Sequence, residues 1–189
     1  MLNWEINLPD GSTQYPMDVS HNKNEVCIDL RCPCDGETTK NTKFPRCELR
    51  EMINGEKAKW SSSKGVHKFK ATFVVGKLPS VKPEVCVFQI HDGSNDRLQL
   101  IVSGDQLVYK FENVKFPLGR HETAFRVECT VRDDYVFLRV NEMRGLRFYL
   151  KSDSLFFKTG NYMQSNLEIE KDENVYSLIK IYELAVHHE

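Results

Sequence analysis

Apolar residues recur at every second position along most of this chain. Phe69, Ala71, Phe73 and Val75 alternate with Lys68, Lys70 and Thr72. Leu98, Leu100 and Val102 alternate with Arg97, Gln99 and Ser103, and Phe125, Val127, Cys129 and Val131 with Arg126, Glu128 and Thr130. Val136, Leu138 and Val140, then Leu146, Phe148 and Leu150, repeat the pattern. In an extended chain successive side chains leave on opposite faces, so each run predicts a half-buried antiparallel strand. Asp35-Gly36, Asn54-Gly55, Asp92-Gly93, Ser103-Gly104, Leu118-Gly119 and Arg144-Gly145 read as turns between them. Many short strands with frequent turns predict a sandwich or barrel. A final strand is expected over residues 176–186. Residues 17–24 read as loop, 168–174 as a solvated turn and Glu51-Met52-Ile53-Asn54 as one helical turn.

A chain of 189 residues suits one domain, 1–189, without repeats or linkers. With 40% hydrophobic residues it can build a core without disulfide help. The net charge of -1 offers no global field for nucleic acid or an anionic membrane, so a polyanionic ligand needs a local basic groove. No apolar run is long enough to span a bilayer, and the first residues lack a signal-peptide core. Neither nucleic acid nor membrane is expected as a partner, and a monomer is expected.

Six cysteines permit disulfides without establishing them. Cys86 alternates with Phe88 and Ile90, and Cys129 with Phe125 and Val127, which places both on apolar strand faces as small hydrophobes. Reduced thiols are the reading, with one disulfide within residues 27–47 as the alternative. Cys32-Pro33-Cys34 lacks the paired spacing of a zinc site, and neither metal nor cofactor is expected. Trp4 and Trp60 read as core (Trp60 with a sugar-lining role as its alternative) and His67 as a satisfied core histidine. His121 reads as a turn residue and His187-His188 as a solvated end.

Three distant segments break the apolar pattern with polar faces. Arg46, Glu48 and Arg50 share one face of a strand, and Gln89 and His91 share another. Phe157-Lys158-Thr159-Gly160-Asn161-Tyr162-Met163-Gln164 adds Lys158, Tyr162 and Gln164. Together they supply cations and an amide to hold a carboxylate, beside a His and a Tyr that can move protons. Taken singly, each has a plainer reading: a cross-strand charge ladder, a strand end before a turn, a structural tyrosine.

Arg46-Cys47-Glu48-Leu49-Arg50 resembles the Arg-Ser/Thr-Glu-Leu-Arg motif of the alginate lyases of polysaccharide lyase family 7. Gln89-Ile90-His91 is similar to that family's Gln-Ile/Val-His motif. Phe156-Phe157-Lys158-Thr159-Gly160-Asn161-Tyr162-Met163-Gln164 resembles its Tyr-Phe-Lys-Ala-Gly-x-Tyr-x-Gln motif. The lead-in Cys34-Asp35-Gly36-Glu37-Thr38-Thr39, Phe44-Pro45 and the opening Trp4-x-Ile6-x-Leu8-Pro9 are similar too. The motifs stand in family order and span nearly the whole chain. Cys47, Phe156 and Thr159 depart from the pattern, and the chain reads as short for the family, which implies reduced loops over the cleft.

The resemblance implies an all-β fold, a two-sheet antiparallel β-jelly roll with a concave substrate cleft. It implies a polysaccharide lyase that cleaves alginate, an acidic polysaccharide, by β-elimination within the polymer. Arg46 and Gln89 would neutralise the uronate carboxylate, and His91 and Tyr162 would carry the proton transfers. Glu48 would orient the arginines, Arg50 and Lys158 would bind substrate and lower the Tyr162 pKa, and Gln164 would bind sugar. Family members are usually secreted, although this chain shows no export signal. Gln-Ile-His in the family goes with tolerance of guluronate. The alternatives are a lyase of glucuronan or another polyuronate and a non-catalytic lectin for acidic glycans. A glycoside hydrolase would need two facing carboxylates, and Glu48 is the one placed there.

Overall fold

The computed structural model describes residues 2–17, 27–39, 42–93 and 95–189. In chain order its strands are β1 (Leu2–Asn7), β2 (Thr13–Met17), β3 (Ile28–Pro33), β4 (Arg46–Ile53), β5 (Glu56–Lys57), β6 (His67–Lys77), β7 (Glu84–Asp92) and β8 (Asn95–Ser103). They continue with β9 (Gln106–Phe111), β10 (Val114–Arg120), β11 (Ala124–Arg132), β12 (Tyr135–Val140), β13 (Leu146–Tyr149), β14 (Leu155–Met163) and β15 (Tyr176–His188). One short helix, α1 (Leu167–Glu170), precedes β15. The first sheet has the order β10-β9-β8-β7-β14-β4-β1-β2, with β5 beside β4. The second has the order β13-β12-β11-β6-β15-β3. All the strand pairs are antiparallel. This is the antiparallel sandwich that the alternation predicts and the two-sheet jelly roll that the resemblance implies.

The core lies where the inner faces meet. Phe69 of β6 packs on Phe88 of β7 at 4.4 Å and on Phe157 of β14 at 5.6 Å between ring centroids. Phe73 stacks on Phe125 of β11 at 5.5 Å. Each such ring contributes roughly 1.5–3 kcal/mol by leaving water. Polar bonds also cross the core. Asn161 Nδ2 donates to the Leu30 carbonyl at 2.8 Å, and Ser177 Oγ donates to Asn161 Oδ1 at 2.8 Å, tying β14 to β3 and β15.

β14 is the strand that least obeys the half-buried rule. From Leu155 to Met163 only Tyr162 is more than slightly exposed, so both of its faces are covered. In its middle Gly160 holds φ +138°, and a Cβ there would lie 2.9 Å from the Cys47 carbonyl oxygen. Only glycine allows the backbone to pass β4 this closely.

Several sequence expectations are corrected. Glu51 to Ile53 are not a helical turn but the end of β4, because they pair with Leu2, Asn3 and Trp4. Gly119 lies inside β10 at a register shift rather than in a turn. Residues 168–174 include α1, whose Glu170 is buried and accepts from the backbone amides of Ser80, Val81 and Lys82. Met17 closes β2, and the rest of the loop expected over residues 17–24 lies outside the described residues.

His188 is not a solvated end. Its Nε2 lies 2.5 Å from Glu51 Oε1, and its Nδ1 lies 2.7 Å from His67 Nδ1. Glu51, fully buried, also accepts from Trp60 Nε1 at 3.0 Å and the Phe157 amide at 2.8 Å. A buried carboxylate needs such donors, and they draw the end of β15 under β4. Trp60 is a core residue stacked on His67 at 4.1 Å, and His67 is satisfied by the Ser61 and Lys64 carbonyls. All six cysteines are free thiols.

Candidate active site

Three neighbouring strands of the first sheet carry the polar residues on the face turned away from the core. Register sets their order. Lys158 of β14 stands between Arg50 of β4 and Gln89 of β7. Tyr162 stands between Arg46 and Cys86, and Phe156 stands opposite His91. Glu48 has Gly160 as its partner on β14, a residue without a side chain. Glu48 and Gln89 are each 1% exposed and Lys158 7%, so this outer face is a recess rather than a flat solvated surface.

Glu48 is the hub. Its Oε2 accepts from Lys158 Nζ and, at 3.3 Å, from Arg46 Nη1; its Oε1 accepts from Gln89 Nε2. Burial alone would raise its pKa. The charges of Lys158 and Arg46 outweigh burial and hold the carboxyl below its ordinary range, so it is ionised. Arg46 spends only part of its fork there. Its Nε and Nη2, and Nε of Arg50, are buried without a hydrogen-bond partner among the described residues. Buried guanidinium donors left in this way are suited to a planar anion such as a carboxylate.

The two proton-transfer candidates lie on either side of this hub. The Arg46 guanidinium sits over the Tyr162 ring at 4.1 Å. The sequence expectation that Lys158 or Arg50 lowers the Tyr162 pKa is corrected. Lys158 is committed to Glu48, and Arg50 lies over the Phe156 ring at 3.9 Å. Burial is the largest influence on Tyr162 and lifts it to about 12, with Arg46 the main opposing charge and Glu48 adding to the rise. The phenol therefore keeps its proton at neutral pH.

His91 stacks on Phe156 at 5.3 Å, and neither ring nitrogen has a hydrogen bond among the described residues. Burial, then the charge of Lys158, pulls its pKa down to about 4, so it is a neutral imidazole able to accept a proton. Phe156 thus packs between Arg50 and His91, a role unseen in the sequence, where it read only as a departure from the motif's tyrosine. Gln164 does not join the cluster. Its Nε2 is bonded to the Tyr162 and Met163 carbonyls just beyond β14.

Cys86 is another correction. Between β7 and β8, Cys86 pairs with Ile101 and Phe88 with Leu100, so β7 carries one extra residue at Val87. This bulge reverses the alternation and turns Cys86 from the core to the site face, opposite Tyr162. It stays 1% exposed, and burial followed by the charge of Glu48 raises its thiol well above the ordinary value.

Known proteins bear on this geometry. The family model described as alginate lyase matches residues 2–188. The alginate lyase AlgAT5 from polysaccharide lyase family 7 has a similar structure, with 28% identity and a TM-score of 0.88 over 99% of this chain and 94% of that one. The alginate lyase from Corynebacterium sp. gives 26% identity and a TM-score of 0.87, with the same coverage. A variant of the family 7 alginate lyase A1-II′ in complex with substrate is 22% identical with a TM-score of 0.80, over 99% and 93% of the two chains. These relatives extend little beyond this chain, so reduced cleft loops do not follow from its length. No curated protein sequence matches it. With the family model matching all but the chain's extreme ends, and three motif segments converging on one recess, this chain belongs to the alginate lyase family, a family of polysaccharide lyases.

Proposed function

We propose that this protein cleaves alginate within the polymer by β-elimination, leaving a 4,5-unsaturated sugar at each new end, and that residues 1–189 act as one catalytic domain. The observation that carries the reading is the Arg46 guanidinium, held by Glu48 through one nitrogen and, among the described residues, without a hydrogen-bond partner at its other two, which are buried. In a 4-linked uronan the C5 proton is weakly acidic while the neighbouring carboxylate is charged. Removal of that proton pushes negative charge onto the carboxylate. Arg46 and Gln89 are the donors set to receive it, and a donor aimed at developing charge contributes about 3–4 kcal/mol. Lys158 and Glu48 hold these donors in place, and Arg50 supplies further positive charge.

His91 is the base and Tyr162 the acid that protonates the leaving oxygen at C4. Each is in the right form at neutral pH, the imidazole neutral and the phenol protonated. This pairing suits substrates whose C5 proton and C4 oxygen lie on opposite faces, as in guluronate. For mannuronate, where they share a face, Tyr162 must serve as base and acid, and Arg46 over its ring is the cation that favours the phenolate. Polyguluronate should therefore be the faster substrate. Cleavage within the polymer is supported by the polar row that runs from Arg50 through Lys158 and Gln89 to Lys110 and crosses five adjacent strands in register, with Gln99 as a buried link that does not face the sugar. At about 4.8 Å per strand it spans roughly 19 Å, enough to hold sugars on both sides of the broken bond.

The test is ultraviolet absorbance over time with polyguluronate, polymannuronate and glucuronan supplied separately. Elimination creates a double bond conjugated with the carboxylate, so absorbance should rise on the alginate blocks, with viscosity falling early. A rise on glucuronan alone would move the substrate to another polyuronate. Binding without absorbance on any polymer would leave a lectin.

A further inference from the structure

Gln99 stands on β8 directly opposite Gln89 and is buried at 6% exposure, yet the reaction gives it no task. Its geometry bears on which way the Gln89 amide faces. A primary amide has two orientations related by a half-turn, which exchange its donor and its acceptor. The ionised Glu48 carboxylate can only accept, so the Gln89 atom against it is Nε2. That leaves Gln89 Oε1 on the far side, where Gln99 Nε2 donates to it at 3.0 Å. Lys110, the partner of Gln99 on β9, is drawn to Asp96 at 2.7 Å and does not compete. One hydrogen of Gln89 Nε2 is spent on Glu48, and the second has no protein acceptor among the described residues.

We infer that Gln99 is a positioning residue that locks the Gln89 amide with its remaining donor turned to the substrate carboxylate. The inference rests on the proposed reading of Gln89 as a carboxylate binder. Without Gln99, Gln89 Oε1 is a buried acceptor lacking a partner, and the amide gains from turning towards any other donor, including the Lys158 ammonium beside it. A turned amide would present oxygen to an anion, so the loss should fall on the transition state more than on binding.

The experiment compares three variants with the wild type by steady-state kinetics on the best polyuronate substrate. Gln99→Leu removes the donor at similar size and should lower kcat by roughly 10–100-fold with KM little changed, the scale of misplacing one donor. Gln99→Lys restores a donor and should recover most of that loss. Gln99→Glu sets an acceptor against Gln89 Oε1 at neutral pH. Once protonated, the introduced carboxyl donates instead, so the ratio of variant to wild-type kcat should rise as pH falls from about 7.5 to 5. This ratio decides the matter even if Gln99→Leu fails to fold. A wild-type kcat in the Leu and Glu variants, an effect confined to KM, or a ratio that does not change with pH would overturn the inference. If the wild type makes no unsaturated product on any polyuronate, the reading of the site falls as well. Activity in the wild type with indifferent Gln99 variants sinks this inference alone.

Discussion

The guanidinium carbon of Arg46 lies 4.1 Å from the centre of the Tyr162 ring, while Nη1 of the same group reaches Glu48 at 3.3 Å. One cation therefore joins the proposed acid to the buried hub. Tyr162→Phe keeps the ring under Arg46 and removes only the hydroxyl. Turnover should fall by about 10²–10⁴-fold while polymer affinity, measured by calorimetry, stays near wild type. Normal turnover would remove Tyr162 from the mechanism.

Gln89→Ala deletes the donor proposed to meet the developing charge. A loss in kcat on the order of 10²-fold or more is expected in initial-rate measurements. A rise in KM with kcat unchanged would mean that Gln89 only binds substrate.

Glu48→Ala leaves two cations, Arg46 and Lys158, in a recess where the carboxylate was 1% exposed. Breaking a buried pair by removing one partner costs about 3–5 kcal/mol, so urea unfolding should shift by that much. An unchanged midpoint would show that water reaches these cations freely.

Gly160→Ala tests the close passage of β14 over β4. The left-handed-side φ of +138° costs a side chain about 1–3 kcal/mol, and the new Cβ would meet the Cys47 carbonyl oxygen at 2.9 Å. Lower stability should come with reduced activity, because Gly160 sits between Lys158 and Tyr162. Full stability and activity together would contradict this account of the strand.

Stability should fall in acid for a reason visible in two histidines. Burial depresses both His67 and His91, the latter to about 4, against an ordinary value of 6.5. Below 6.5 the unfolded chain binds protons that the fold refuses. The stability that these groups confer is present above 6.5 and is lost as pH drops towards 4. Thermal melts across that window should show the decline, and His91→Gln should flatten it. A His91→Gln profile parallel to the wild type would contradict the burial argument.

Most of the fold was legible because period-two alternation maps directly onto strand faces, as in Phe69 to Val75 and Phe125 to Val131. The polar faces Arg46, Glu48, Arg50 and Gln89, His91 were legible for the same reason. What escaped depends on neighbours rather than on the strand itself. The bulge at Val87 that turns Cys86 onto the site face leaves no mark in the local pattern. Gln99 read as one polar residue among others until register set it against Gln89. His188 looked like a free tail because its partner, Glu51, is 137 residues away. The Tyr162 shift was expected with the wrong sign, since sequence lists nearby cations and is silent on burial, the larger influence.

The most direct test of β-elimination at this site is digestion of polyguluronate in heavy-oxygen water, followed by mass spectrometry of the oligosaccharides. Elimination breaks the C4–oxygen bond without adding water, so one end should be lighter by the mass of water than a hydrolytic end, and heavy oxygen should enter no faster than an undigested oligosaccharide exchanges it at its reducing end. The Tyr162→Phe variant should yield almost none of them. New ends without that mass deficit, with heavy oxygen entering faster than an undigested oligosaccharide exchanges it, would make the protein a hydrolase and contradict the account at its centre.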